Sequence, residues 1–593
     1  MDAESGEAIL NADGSEVTAS ATFTTTDHDG TVDVIYTFDA SELAGHSVVS
    51  FETLYVNGEA VAKHEDITDE GQTVVFPEVY TNASDLVTGT DVANSDEMVT
   101  IEDVVIYENV IAGKEYTITG ILVDKSTGDY FLDDNGEVVT ASVTFTAEET
   151  SGTVTLVFTL SAKSLGSATL VAFESLTYKD VEVGVHADIT DADQTVYLPK
   201  IGTTALDSET GVHVSYADDT VTVIDTVSYT DLSPNHTYNV IGTLMDMETQ
   251  EVLVIHGETV TAAAEFTPES SDGTVDVVFT FDASELSGST LVVFERLYLG
   301  DFLVAGHTDF ADEEQFIYVP KIGTTATDSE TNDHIPYADS KIIISDLVSY
   351  TDLQPGVAYT IKGVLYDRES GEVLLVNEKE VTAFAEFTAK AAEGEVTVTF
   401  EFDGTGLENR TLVAYEYLYY EDILVAEHED MEDEEQSVYI PQISTTATEK
   451  NTGSKTVSAG EVTVIDTITY ENLVPGLEYT VFGTVMNSET GKAVEINGEK
   501  VTAEMTFTPE KNSGTVDVEF TFDASSLAGT TIVWFEELYY GDAKIVAHSD
   551  INDTDQSIDV KKSSEKPPGD GRWQSDVYCD SVVGSGCSPA CRS

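Results

Sequence analysis

Five copies of a nine-residue pattern, His-x-Asp-x-x-Asp-x-x-Gln, recur 120–122 residues apart. They run from His64 to Gln72, His186 to Gln194, His307 to Gln315, His428 to Gln436 and His548 to Gln556. The positions between drift freely, so each copy tests the fixed ones independently. A base, two carboxylates and a carboxamide are rarely demanded together by packing, and acyl transfer is the chemistry they permit.

A hydroxyl nucleophile recurs as well. Each of the last four copies is preceded by Thr81, Thr203, Thr324 or Thr445 in a short strand that follows Pro77, Pro199, Pro320 or Pro441. An aspartate recurs in the next strand (Asp103, Asp225, Asp346, Asp466), and a glutamate just before the histidine (Glu174, Glu295, Glu416, Glu536). The expected roles are as follows. The threonine hydroxyl attacks the side-chain carbonyl of Gln194, Gln315, Gln436 or Gln556. His186, His307, His428 or His548 takes its proton, oriented by Asp191, Asp312, Asp433 or Asp553. The glutamate, protonated through burial or nearby negative charge, donates to the carbonyl oxygen.

The positioning elements are strands. Runs of four to eight residues rich in Val, Thr, Tyr and Phe alternate with Gly, Asp and Ser turns, and no segment keeps helical periodicity for three turns. This predicts an all-β chain of tandem immunoglobulin-like β-sandwich domains forming an elongated rod, because the linkers are nearly absent. First and last strands of such a sandwich can lie side by side, which would bring Thr203 to Gln315. The expected domains are 77–198, 199–319, 320–440 and 441–560, each able to cross-link. Residues 1–76 read as an incomplete copy without its first strands, as in a fragment of a longer protein. Residues 561–593 read as a disordered tail. In Val-Ala-Phe-Glu at 171–174 the period of two puts Val and Phe toward the core and Glu174 away from it.

Composition narrows the partners. Lys plus Arg number 25 against 111 Asp plus Glu, a formal net charge of -86, which disfavours nucleic acid and anionic membranes. All three cysteines, Cys579, Cys587 and Cys591, lie in the last segment, so the repeats have no disulfide staple. No stretch is long enough to span a membrane. Calcium is the main alternative for the Asp-x-x-Asp spacing, but Asp193 is replaced by Gly71, Glu314 and Glu435 in other copies, and the Gly and Glu of a calcium loop are missing. No lysine recurs in every repeat as a Lys–Asn isopeptide would require. No metal or cofactor is expected, and four tandem sites without an evident cleft do not read as a turnover enzyme.

The chain resembles the VaFE-repeat proteins, the Thr–Gln ester-bond domains of Gram-positive surface adhesins. The resemblance rests on Val-Ala-Phe-Glu at 171–174, Val-Val-Phe-Glu at 292–295, Val-Ala-Tyr-Glu at 413–416 and Val-Trp-Phe-Glu at 533–536. The His-to-Gln endings and the Thr-Thr-Ala starts at 203–205, 324–326 and 445–447 match too; the second repeat departs with Thr81-Asn82. The resemblance implies a self-formed Thr–Gln ester in each complete domain of a cell-wall-anchored stalk. It also implies partners reached through parts outside this chain: a host or neighbouring-cell ligand at a tip domain, and the cell wall at an anchor.

Overall fold

The computed structural model describes residues 1–95, 98–161 and 167–562; the expected tail falls almost wholly outside the described residues. The chain is all-β, in tandem two-sheet units. The only other elements among the described residues are two short 3-10 turns, Glu313–Gln315 and Ala524–Leu527.

The 199–319 unit shows the plan. One sheet holds the threonine strand Lys200–Asp207, the aspartate strand Val221–Thr230 and Gly273–Phe281, in that order. The other is centred on the glutamate strand Ser289–Leu299, which pairs with Tyr238–Asp246 on one side. Its far edge is shared by two strands. Phe302–His307 pairs with residues 295–299, and Phe316–Val319 with residues 289–292. The chain leaves that edge after His307 and returns at Phe316. The His-to-Gln turn therefore arches over the gap at Val293 and Phe294, with His307 directly opposite Glu295.

The inward faces of the two sheets form the core, in which Val223, Val227, Val240, Leu244, Val277, Phe279, Leu291, Val293 and Leu297 are buried. Glu295 shares the face of Leu291, Val293 and Leu297 and is fully buried. This reverses the outward placement expected for the glutamates. The reason is that both faces of the strand are apolar and covered. Val292 and Phe294 are buried on the opposite face, together with Phe316 and Tyr318. Alternation identifies the inner face only when the outer one meets water.

Successive units meet directly. Val92, Val214 and Ile335 sit in a segment after the threonine strand, yet each is buried in the core of the unit that follows. A threonine at the start of the glutamate strand in the 77–198, 199–319 and 320–440 units also donates across the junction. Thr169 reaches Asp231 at 2.6 Å, Thr290 reaches Asp352 at 2.7 Å and Thr411 reaches Asn472 at 3.0 Å. These three acceptors sit at φ of 54–59°, where Asp and Asn are the tolerated residues after glycine.

Candidate functional site

In the threonine sheet, Ala205 lies directly opposite Asp225, and Thr203 is two residues back on the same face. A diagonal neighbour lies within side-chain reach. The Thr203 hydroxyl donates to Asp225, as Thr324 does to Asp346, and Thr445 donates to Asp466 at 2.6 Å. Alanine in the Thr-Thr-Ala sequence leaves room for the aspartate that faces it. In the 77–198 unit the Thr81 hydroxyl has no hydrogen-bond partner, although Ala83 still faces Asp103.

The glutamate enters from the other sheet. Glu174, Glu295, Glu416 and Glu536, and Asp103, Asp225, Asp346 and Asp466, are essentially inaccessible to water. Burial, followed by the adjoining aspartate, holds the glutamate carboxyls far above the usual carboxylate range. Burial also pushes Asp103, Asp225 and Asp466 up. Each glutamate Oε1 and each aspartate Oδ2 lacks a conventional donor. One proton held between the two carboxyls satisfies both atoms, and two like charges in one dry site leave the pair with that proton.

The glutamine completes the chain of contacts. Gln194 and Gln556 donate from Nε2 to Glu174 and Glu536 at 2.7 Å, and Gln315 and Gln436 to Glu295 and Glu416 at 3.3 and 3.2 Å. All four glutamines are fully buried, and their Oε1 atoms accept no hydrogen bond. Thr–Asp–Glu–Gln is thus a continuous sequence of contacts in the three units from 199 to 560.

Two backbone clamps bracket the threonine. His186 Nδ1 donates to the Val79 carbonyl at 3.0 Å and His548 Nδ1 to Ile443 at 3.2 Å, in each case two residues before the threonine. Two residues after it, the amides of Ala83, Ala326 and Ala447 donate to the residue preceding the glutamine, at 2.8, 2.8 and 3.0 Å. The threonine strand is thereby registered on the His-to-Gln turn.

The histidine contacts the motif aspartate rather than the threonine hydroxyl. Nε2 of His186, His307 and His548 contacts Asp191, Asp312 and Asp553 at 2.9, 3.0 and 2.9 Å, and His428 contacts Asp433 at 3.4 Å. In His186 and His548 the ring spans two groups, with Nδ1 on a backbone carbonyl and Nε2 on the aspartate carboxyl. The group that accepts the threonine hydroxyl is the aspartate of the neighbouring strand. In these two units the His–Asp pair links the turn to the threonine strand. The other motif aspartates (Asp188, Asp309, Asp430, Asp550) cap their own turns, each accepting from the amide two residues on at 2.8–2.9 Å.

Two further residue types matter and carried no role in the sequence reading. Gly120, Gly242, Gly363 and Gly483 lie directly opposite the glutamates. A Cβ there would overlap the rings of Phe158, Phe279, Phe400 or Phe520 from the facing sheet. These rings close over the glycines and keep the carboxyl pair dry. The Tyr-x-x-x-Gly spacing held in every complete repeat was the available signal.

The model of the T-Q ester bond containing domain matches residues 1–76, 77–198, 199–319, 320–440 and 441–560, and the chain belongs to that family. No curated protein sequence matches the chain. Among solved structures, a bacterial adhesin from Mobiluncus mulieris with intramolecular disulfide, isopeptide and ester bond cross-links matches in two crystal forms. One is 14% identical over 42% of this chain and 87% of that one, with a TM-score of 0.20. The other is 15% identical over 43% and 88%, at 0.19. Escherichia coli alpha-2-macroglobulin matches at 10% identity over 86% of this chain and 50% of its own, at 0.18. Scores this low carry no argument about function. Among the described residues no helix is long and apolar enough to cross a membrane.

Proposed function

We propose that this chain is the stalk of a cell-surface adhesin or pilin-like protein, in which each complete domain locks itself with a Thr–Gln ester. The bonds are Thr81–Gln194, Thr203–Gln315, Thr324–Gln436 and Thr445–Gln556. The observation that carries this reading is the dry carboxyl pair, touched by the threonine hydroxyl on one side and the glutamine amide on the other.

The threonine Oγ attacks the glutamine Cδ, and its proton passes to the aspartate. The glutamate gives its proton to the amide nitrogen, the Cδ–Nε2 bond breaks and ammonia leaves. One proton enters the pair and one departs, so the pair ends as it began. A neutral glutamate can make that donation near neutral pH only because burial holds its proton. The His–Asp pair keeps the glutamine turn in register. The reaction occurs once per domain, so the chain is a substrate of its own fold and not a turnover enzyme.

Such a bond ties the threonine strand at the start of a domain to the turn before its last strand. Pulling or proteolysis must then break a covalent loop. The packed junctions support a stiff rod of separate domains at the five matched segments. The partners this reading implies are a host or neighbouring-cell ligand and the cell wall, with the stalk outside the cell. Intact mass tests the reading. The purified chain is expected about 17 Da light for each ester, four in all, because each acyl transfer expels one ammonia. A mass equal to that of the sequence ends it.

A further inference from the structure

The turns that present the glutamines are themselves strongly acidic. Between His428 and Gln436 stand Glu429, Asp430, Glu432, Asp433, Glu434 and Glu435. Like charges this close oppose one compact geometry. The chain has 25 Lys and Arg in 593 residues, and among the described residues of the four complete units Lys125, Arg368 and Lys455 hydrogen-bond at such turns.

One structural position recurs in all four units. It follows the strand that pairs with the glutamate strand, and its amide donates to the carbonyl of Thr169, Thr290, Thr411 or Thr531. Lys125, Met247, Arg368 and Ser488 occupy it. Arg368 donates from Nε to the Met431 carbonyl at 2.9 Å. Its Nη2 donates to the Asp433 carbonyl at 3.3 Å and to the Ser437 hydroxyl at 2.6 Å. Ser437 in turn donates to the Asp433 carbonyl at 2.5 Å. One guanidinium thus joins both limbs of the turn that carries Asp433 and Gln436. Lys125 donates to the Thr195 hydroxyl at 2.9 Å, which donates to the Asp191 carbonyl at 2.6 Å. In the last unit Ser488 donates only to Thr531, and Lys455 supplies the cation from another segment, donating to the carbonyl of Asp555 beside Gln556.

The 199–319 unit solves the same problem without charge. Met247 replaces the base and Phe316 replaces the hydroxyl after the glutamine. Phe310, within the turn, lies edge-on to Phe294 at 4.6 Å, and Met247 and Phe310 pack on the cluster that holds Phe294 and Phe316.

We propose that Arg368, Lys125 and Lys455 are positioning residues for cross-linking, each holding its acidic glutamine turn in the geometry that presents the carboxamide to the threonine. Met247, Phe310 and Phe316 do the same by apolar packing. This rests on the ester reading above. Charge-assisted hydrogen bonds to carbonyls are strong and directional, and arginine makes several at fixed angles. The arginine falls on the turn with the most acidic residues.

The full chain, made by cell-free synthesis and sampled over time, provides the test. After proteolysis, the Thr324–Gln436 cross-linked peptide pair is quantified against the pairs of the other units, which serve as internal controls. Arg368→Met is expected to slow formation of that pair at least about tenfold, the equivalent of losing one charge-assisted contact. Arg368→Lys is expected to recover most of the rate. Arg368→Met combined with Met431→Phe and Ser437→Phe, which copies the apolar solution, is expected to recover it too. Formation at the parental rate in Arg368→Met overturns the proposal. So does a slow Arg368→Met that neither replacement rescues, since the defect is then one of folding. A parent chain without any cross-linked pair fails separately: it removes the ester reading and this proposal with it.

Discussion

Two regions carry the same His-to-Gln motif in different surroundings. In the 199–319 unit a three-stranded sheet bearing Thr203 and Asp225 covers Glu295. In residues 1–76 the described strands make only two two-stranded ladders. Glu52 still pairs opposite His64, Gln72 Nε2 still donates to Glu52, and His64 still contacts Asp69 at 3.0 Å. Yet Glu52 is only half-buried, the His64 side chain is 53% exposed against 20% for His307, and a cleft of about 620 Å³ opens onto Tyr36, Glu52 and Gln72. The local strands and turn therefore bring Glu52, His64, Asp69 and Gln72 together by themselves. The threonine sheet adds Thr203 and Asp225 and buries Glu295 fully.

The largest effect expected to break this comparison is chemical. Glu295→Gln retains shape but removes the transferable proton, so the 203–315 bond should not form. The mass deficit of the full chain should fall by one ammonia, about 17 Da, while the other bonds persist. Peptide mapping should find Gln72 unmodified in both chains. Full cross-linking in Glu295→Gln would show that a buried proton is not what separates the two regions.

Next in size is stability. Thr324→Ala leaves the fold but opens a loop of more than a hundred residues. A closed loop of 100 residues stabilises by about 4.7 kcal/mol in the chain-entropy model, so the 320–440 unit should melt first and well below its neighbours in calorimetry. Co-melting with the parent would mean the bond is absent or idle.

Gly242→Ala probes the dryness itself. The added Cβ overlaps the Phe279 ring, and overpacking of this kind costs about 1–3 kcal/mol. Chemical denaturation should show that loss, and the Thr203–Gln315 bond should form more slowly as water reaches Glu295.

A separate test uses pH. In Thr203→Ala the carboxyl pair stays buried without an ester. The folded pKa of Glu295 is raised from 4.5 to about 11, so the fold binds a proton that the unfolded chain releases. Stability from this group is full below 4.5 and is lost as pH rises toward 11. Melting of the variant unit should therefore fall between pH 5 and 9, and a flat profile there would contradict a protonated Glu295.

Much was legible in the sequence because repeats expose constancy. Strand alternation gave the all-β fold, and five copies of one motif singled out His, Asp and Gln. Internal comparison picked Thr81 over Asn82 as the constant hydroxyl position. What alternation could not give was the direction of the glutamate, since residues on both faces of its strand are buried. Nor could it give the histidine's partners, which lie more than a hundred residues away at Val79 and Ile443.

The sequence by itself determined the inventory: which groups recur, at what spacing, and hence that acyl transfer was the chemistry in reach. Those are local properties, carried by residue type and period. Only the tertiary structure decided which groups meet: Thr203 finds Asp225 on the next strand of its own sheet, and Glu295 joins them when the second sheet closes. Asp225 comes from one sheet and Glu295 from the other, and neither is buried or proton-sharing until the sheets close. Burial, and the carboxyl chemistry it creates, belongs to the assembled sandwich and to no single strand.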